Sequence, residues 1–339
     1  MTGTVAQLET GVYLRQALAP FAAYLARTDV TDLYVNRPGE LWLETLGGGI
    51  ERFERPELTD RLLLRLAEQV AALTSQGINA EHPILSAILP DGARVQFIAP
   101  PATRSGMAMA IRKHQSAHLR LDDYAASGAM PGAGQDHAAD MLQAQLRNLK
   151  ARADYVSLLR LAVQQRLNIL VSGGTSTGKT TFLNALIQEI PQEERLILIE
   201  DTPELELRHA NAVGLVAARS ALGQAAVAAE DLLNASLRMR PDRIILGELR
   251  GPEAFTFLRA VNTGHPGSMT TIHADSPARA IEQLALLVLQ SGTRLDRDSI
   301  GHYVRTSIDV YVQLARQAGR RHISAIALRG DVGSAGGLT

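Results

Sequence analysis

The 339-residue chain has no cysteine. That absence excludes disulfides, thiolate metal sites and cysteine nucleophiles. It also lacks an excess of charge, with 34 Lys and Arg against 35 Asp and Glu and a formal net charge of −1. Proteins that work by gripping nucleic acid carry a basic excess, so only a local basic patch could serve that purpose. No apolar run reaches the length needed to span a bilayer. The longest candidate, "AIEQLALLVLQSG" (280–292), contains Glu282 and Gln283 and reads as a buried helix. The opening "MTGTVAQLET" has no basic start leading into an apolar core, so no export signal is expected. No internal repeat of fixed period is visible.

What is present reads as a globular protein, 46% hydrophobic and 20% charged, and its length points to two domains. Leu14, Leu18, Phe21 and Leu25 recur at helical spacing over 8–27, with Pro20 set to break or kink that helix. "TDLYVNRPGELWLE" (31–44) alternates around Arg37-Pro38-Gly39 as a hairpin does. Residues 59–73 predict a helix capped by Thr59 or Asp60. Two strands meeting at Pro90-Asp91-Gly92 and a further strand at 107–113 complete an α+β domain over 1–114. The Ala/Gly-rich stretch from 115 to 137 reads as a linker. The linker region is taken to 150, although Leu142, Leu146 and Leu149 share one helical face. From 151 to 339 the chain is expected to form one α/β domain. Helices are predicted over 155–165, from Lys179 and over 228–241, and apolar strands at 167–173, 195–201, 242–249 and 268–275. Apolar strands alternating with helices imply a mainly parallel sheet covered on both faces.

The chemistry concentrates in that second domain. Gly173-Gly174-Thr175-Ser176-Thr177-Gly178-Lys179-Thr180 matches G-x-x-x-x-G-K-T between a strand and a helix that Thr181 continues. Such a loop points successive backbone N–H groups at phosphate oxygens, while the Lys reaches the β- and γ-phosphates and the Thr hydroxyl sits on Mg²⁺. ATP with Mg²⁺ is therefore the expected ligand. Glu200 and Asp201 end an apolar strand and are expected near the metal or the attacking water; a turn beginning at Asp201 is the plainer alternative. Glu248 ends "RIILGEL" and suits a base that orients water, although the commoner form of this motif ends in Asp. His265 and His273 flank the 268–275 strand, as phosphate sensors or as structural histidines. Arg94, Arg104, Arg112 and Lys113 in the first domain are solvated charges unless one reaches a phosphate from outside.

The order of "GGTSTGKT", "IEDTPEL", "RMRPDRIILGELRG" and "NTGHPGSMTTIHA" resembles the secretion ATPase superfamily of type II secretion, type IV secretion and type IV pili, nearest its VirB-type traffic ATPases. "LPDGARVQFIAPPA…AIRKH" is similar to that family's first domain. The resemblance implies a RecA-like P-loop ATPase domain preceded by a PAS-like α+β domain, assembled as a homo-hexameric ring with nucleotide between the domains. It implies that Lys179 and Thr180 bind phosphate and Mg²⁺, that Glu200 and Asp201 form an acidic box, and that Glu248 is the base. It places His265 and His273 in a histidine box, and Arg94 and Arg112 among the first-domain arginines that approach phosphate. It further implies a cytoplasmic motor, peripheral to the inner membrane, working with channel components and other ATPases on a protein or protein–DNA substrate. Zinc-binding Cys-x-x-Cys pairs, usual in type II secretion and pilus-extension motors, are absent here. A pilus motor and a RecA-like nucleic-acid motor remain the alternatives.

Overall fold

Two sheets organise the chain. The computed structural model describes residues 3–114, 120–122, 137–219 and 226–332. Most of the expected linker, 115–136, thus lies outside the described residues.

The N-terminal domain begins with α1 (Gly3–Leu18), a 3₁₀ turn (Ala19–Phe21) and α2 (Ala22–Leu25). Pro20 falls in the turn, the break its missing N–H predicts. There follow β1 (Val30–Val35), β2 (Gly39–Thr45), β3 (Ile50–Arg55), α3 (Asp60–Leu73), β4 (Ile84–Ile88), β5 (Arg94–Ile98) and β6 (Ala108–Arg112). They form an antiparallel sheet of order β3-β2-β1-β6-β5-β4. Thr59 caps α3 as expected, accepting from the Leu62 N–H at 3.3 Å. The expected strands all form. β3 is additional: its sequence, IERFER, is dominated by charge, which suits an edge strand that must not pair further.

The C-terminal domain comprises α4 (His137–Ala151), α5 (Tyr155–Gln164), β7 (Ile169–Gly173), α6 (Lys179–Ile187), β8 (Leu196–Glu200) and β9 (Ala212–Val216). A short pair, β10 (Ala218–Arg219) and β11 (Ala226–Val227), precedes α7 (Ala229–Ser236), β12 (Arg243–Leu246), α8 (Glu253–Asn262) and β13 (Met269–Ile272). The chain then forms α9 (Pro277–Gln290), α10 (Arg297–Ser307), β14 (Val310–Gln317) and β15 (Arg320–Leu328). The sheet order is β15-β14-β7-β13-β12-β8-β9, parallel except for the edge strand β15. Alternate strand residues face opposite layers. Leu170, Ile197 and Ile244 pack with α7–α10, whereas Val171, Leu198 and Ile245 pack with α4–α6. Burial on both faces explains why these strands are rich in apolar residues. α4 occupies the end of the stretch expected as linker, and its buried Leu146 joins this core.

The domains share apolar contacts, with Tyr34, Trp42 and Ile98 in one cluster with Ile197 and Leu215. Polar contacts accompany them. Arg195 Nη1 donates to Asn211 Oδ1 at 2.7 Å and to Asn36 Oδ1, and Arg240 Nη2 donates to Glu44 Oε1 at 2.7 Å.

Candidate active site

Strands β7, β13, β12 and β8 run parallel, so their C-terminal ends open on one edge of the sheet. That edge carries the phosphate loop, His273, Glu248 and the Glu200-Asp201 pair, as open α/β sheets place their ligands. The cleft there measures about 480 Å³, within the range of small-molecule sites.

The loop curls because its sequence permits left-handed backbone. Ser176 has φ +60° and Gly178, the residue before α6, has φ +93°. A side chain at Gly178 would be strained there and would also meet Arg321 Cδ at 3.2 Å. The Thr177 hydroxyl donates to Gly174 O at 2.8 Å and closes the turn. Thr175 to Thr181 line the cleft. Gly173 and Gly174 stand behind it, their carbonyls accepting from Lys179 Nζ at 3.1 and 3.3 Å. Lys179 Nζ also lies 3.3 Å from His273 Nδ1 and 3.9 Å from Glu248 Oε1. Burial holds this ammonium below the ordinary lysine range, against the opposing pull of Glu248.

Glu248 faces the loop from just beyond β12. Gly247 is pinned on both sides, its N–H donating to Ile199 O at 2.8 Å and its carbonyl accepting from Thr271 Oγ1 at 2.8 Å. His273 Nε2 stands 2.7 Å from Glu248 Oε1. The contact is close but not aligned as a hydrogen bond, so this buried oxygen keeps an unused acceptor site. Arg250 Nε donates to Glu248 Oε2 at 2.6 Å and Arg250 Nη1 reaches Asp201 Oδ2 at 3.4 Å. The turn that aims Arg250 is fixed by Glu253 Oε1, which accepts from the Arg250 and Gly251 N–H groups, each at 2.7 Å.

Some expected positions differ. Glu200 lines the cleft, yet its carboxylate is occupied by the protein. Oε1 accepts from the Glu204 and Leu205 N–H groups at 2.9 and 2.7 Å, and Oε2 meets Arg104. That geometry makes Glu200 an anchor of the 201–205 turn rather than a free metal ligand. Arg94 and Arg112 do not line the cleft. They face each other across β5 and β6, exposed, with Arg112 Nε 4.0 Å from Asp32 Oδ1. The β5–β6 hairpin packs with the C-terminal domain through Ile98, Ala108 and Ala110 and through its connecting loop, where Arg104 N donates to Gly214 O at 3.0 Å. Arg94 and Arg112 stand at the other end of the same strands, roughly 14 Å away at the ordinary rise per residue. His265 lies before β13 and His273 after it, so the strand separates them. His265 Nδ1 donates to Pro241 O at 3.1 Å and takes no part in the cleft. Arg250 and Arg321 also line the cleft, beyond the site residues the sequence points to. Arg250 has a signal, two residues beyond Glu248. Arg321 has none, because the β14–β15 pairing that delivers it is not announced by any local pattern.

The family model described as "Type II/IV secretion system protein" matches residues 15–325. The Type IV secretion system protein VirB11 of Bartonella henselae is 38% identical, over 94% of this chain and 93% of that protein. The protein of the same name from Brucella suis is 39% identical over 91% of this chain and 88% of its own length. The crystal structure of the VirB11 ATPase from the Brucella suis type IV secretion system, in complex with sulphate, superposes with a TM-score of 0.88. It is 36% identical and covers 96% of this chain and 97% of that one. Similarity of this extent, over both domains, shows that the chain belongs to the type II/IV secretion system protein family, as a type IV secretion traffic ATPase.

Proposed function

We propose that the cleft binds ATP with Mg²⁺ and that hydrolysis there powers a type IV secretion motor, driving substrate export and pilus assembly through movement of the two domains. The observation that carries this is the convergence of Lys179, Glu248 and His273 over a curled phosphate loop. In this reading the N–H groups of Thr175 to Gly178 cradle phosphate and Lys179 binds the β- and γ-phosphates. The unused acceptor on Glu248 Oε1 takes the proton of the attacking water. His273 and Arg250 hold that carboxylate in place.

The Thr180 hydroxyl and Asp201 carboxylate would hold Mg²⁺. Among the described residues no group of three or more His, Asp or Glu is placed to hold a metal alone. A cation that arrives with the nucleotide and takes its remaining ligands from phosphate fits that donor set. Bound there, it would neutralise charge on the phosphate oxygens.

Glu200 gives the cleft a mechanical connection. The strand end that presents Asp201 to the cleft also grips Arg104 of the first domain. Arg94 and Arg112, exposed at the free end of the N-terminal sheet, are available to the cleft of a neighbouring subunit in a homo-hexameric ring. No helix among the described residues is long and apolar enough to cross a membrane. Peripheral placement on the cytoplasmic side of the inner membrane, beside channel components and other ATPases, suits this reading. The cargo would be a protein or protein–DNA complex.

Phosphate release by purified protein tests the assignment. Lys179→Ala should keep its fold by circular dichroism and lose turnover; wild-type turnover in that variant would refute it. Arg94→Ala and Arg112→Ala should lower turnover only where subunits assemble, which hydrolysis measured across the assembly range checks.

A further inference from the structure

The phosphate loop is overhung by the β14–β15 hairpin. β14 pairs with β7 as far as Leu314 opposite Gly173, where β7 stops and the chain turns into the loop. β14 continues to Gln317 and β15 returns from Arg320, so the hairpin end extends past the strand that carries the loop. Leu314 packs on Gly173, its Cβ 3.2 Å from where a Cβ on that glycine would lie. Strand alternation puts Arg316 on the same side as Leu314, and Arg321 lies directly opposite Arg316. Arg321 reaches the loop: its Cδ and Nη1 lie 3.2 and 3.6 Å from the place of a Cβ on Gly178.

The charge pattern asks for an anion. Two guanidinium groups directly opposed across a strand pair disfavour each other. Arg250, the other arginine lining the cleft, pairs with Glu248 and Asp201, and Arg104, outside the lining, pairs with the cleft residue Glu200. Among the described residues the side chains of Arg321 and Arg316 have neither an ion pair nor a hydrogen bond. Lys179, Glu248 and His273 gather where a γ-phosphate would be read, whereas Arg321 stands beside Gly178, on the loop backbone that cradles the α- and β-phosphates.

We propose that Arg321 is a nucleotide-binding residue that places its guanidinium on the α- and β-phosphates held by the loop of its own subunit. This rests on the cleft being the ATP site. The hairpin is then a fixed clamp in cis, acting on ATP and ADP alike, distinct from any arginine brought by another subunit.

The test is the Kd for mant-ATP and mant-ADP, with steady-state hydrolysis, in wild type, Arg321→Ala, Arg321→Lys and Lys179→Ala. A charge-assisted phosphate contact at a partly exposed site predicts that Arg321→Ala weakens both nucleotides by about tenfold. KM should rise by more than kcat falls, and Arg321→Lys should recover part of the loss. If Arg321→Ala does not yield folded protein, Arg321→Gln carries the same expectation. ADP affinity within twofold of wild type overturns the proposal, as does a loss confined to ATP. Lys179→Ala separates the two readings. If it retains turnover, the ATP site itself is misassigned. If it loses turnover while the Arg321 variants bind ADP normally, only the clamp fails.

Discussion

Arg104 of the first domain and Glu200 of the second form an ion pair at the root of the cleft, with side chains 13% and 4% exposed. Arg104 Nη1 also donates to Leu205 O at 2.7 Å, and Thr103 bridges to Leu215 on β9. One arginine thus holds both the strand end and the turn that follows it.

Removing that arginine leaves a buried carboxylate with its two backbone partners but no counter-charge. Arg104→Ala should therefore destabilise the protein by about 3 kcal/mol, the usual consequence of breaking one side of a buried pair. Urea unfolding at pH 7.5 measures it. Glu200→Gln in the Arg104→Ala background should recover part of the loss, because a neutral amide needs no counter-charge. A double variant no more stable than Arg104→Ala would show that lost packing, not the stranded charge, is responsible.

Glu248→Gln keeps the shape of the cleft wall and removes the proton acceptor. Nucleotide affinity should stay within a few-fold of wild type, while kcat falls by about 10²–10³. His273→Ala should cost less, about tenfold, because Arg250 still holds Glu248 Oε2. Single-turnover hydrolysis with fluorescent-nucleotide binding separates these effects. Wild-type kcat in Glu248→Gln would remove it from the role of base.

The parts of this cleft written as local sequence are the parts that sequence reading finds. The phosphate loop, Glu248 and His273 each sit at the end of a short strand rich in apolar and β-branched residues, a signal that needs no knowledge of what packs beside it. Glu200 shows the limit. A carboxylate at a strand end reads the same whether it faces solvent, metal or a buried arginine, and only packing against the first domain decides it. Arg94 and Arg112 fall under the same limit, since a strand pattern does not say which end of a hairpin meets its neighbour. Arg321 is further out of reach, because β15 is an edge strand whose first residues are all exposed and lack a period.

His265 gives a pH signature unrelated to catalysis. Burial holds its imidazole below the ordinary value of about 6.5, with Arg240 adding to the effect and the Pro241 carbonyl and Asp242 opposing it. The unfolded chain therefore binds this proton more readily than the folded one. The stability that His265 contributes is complete above pH 6.5 and is lost as pH falls through the lower, folded-state value. Melting temperature should drop between pH 7.5 and 5.5, and His265→Asn should reduce that drop. An equal drop in both proteins would show that other groups carry the acid sensitivity.

Arg195 poses a different question, because this fully buried guanidinium has no carboxylate ligand among the described residues. It lies 4.0 Å over the Tyr34 ring and donates to Met239 O at 2.9 Å, to Asn211 Oδ1 at 2.7 Å and to Asn36 Oδ1. One of its nitrogens, Nη2, has no hydrogen-bond partner among the described residues. Burial lowers its pKa to about 10, which marks how poorly neutral acceptors replace water around a cation. The hydrophobic stem and the ring contact offset that penalty, so Arg195→Met should stay within about 1 kcal/mol of wild type. Asn36→Ala keeps the cation and takes away an acceptor supplied by the other domain, so it should cost about 1–3 kcal/mol. Guanidinium-chloride unfolding of both variants decides the matter. If Arg195→Met proves the more damaging, the guanidinium is a net stabiliser of the domain interface despite its missing counter-ion.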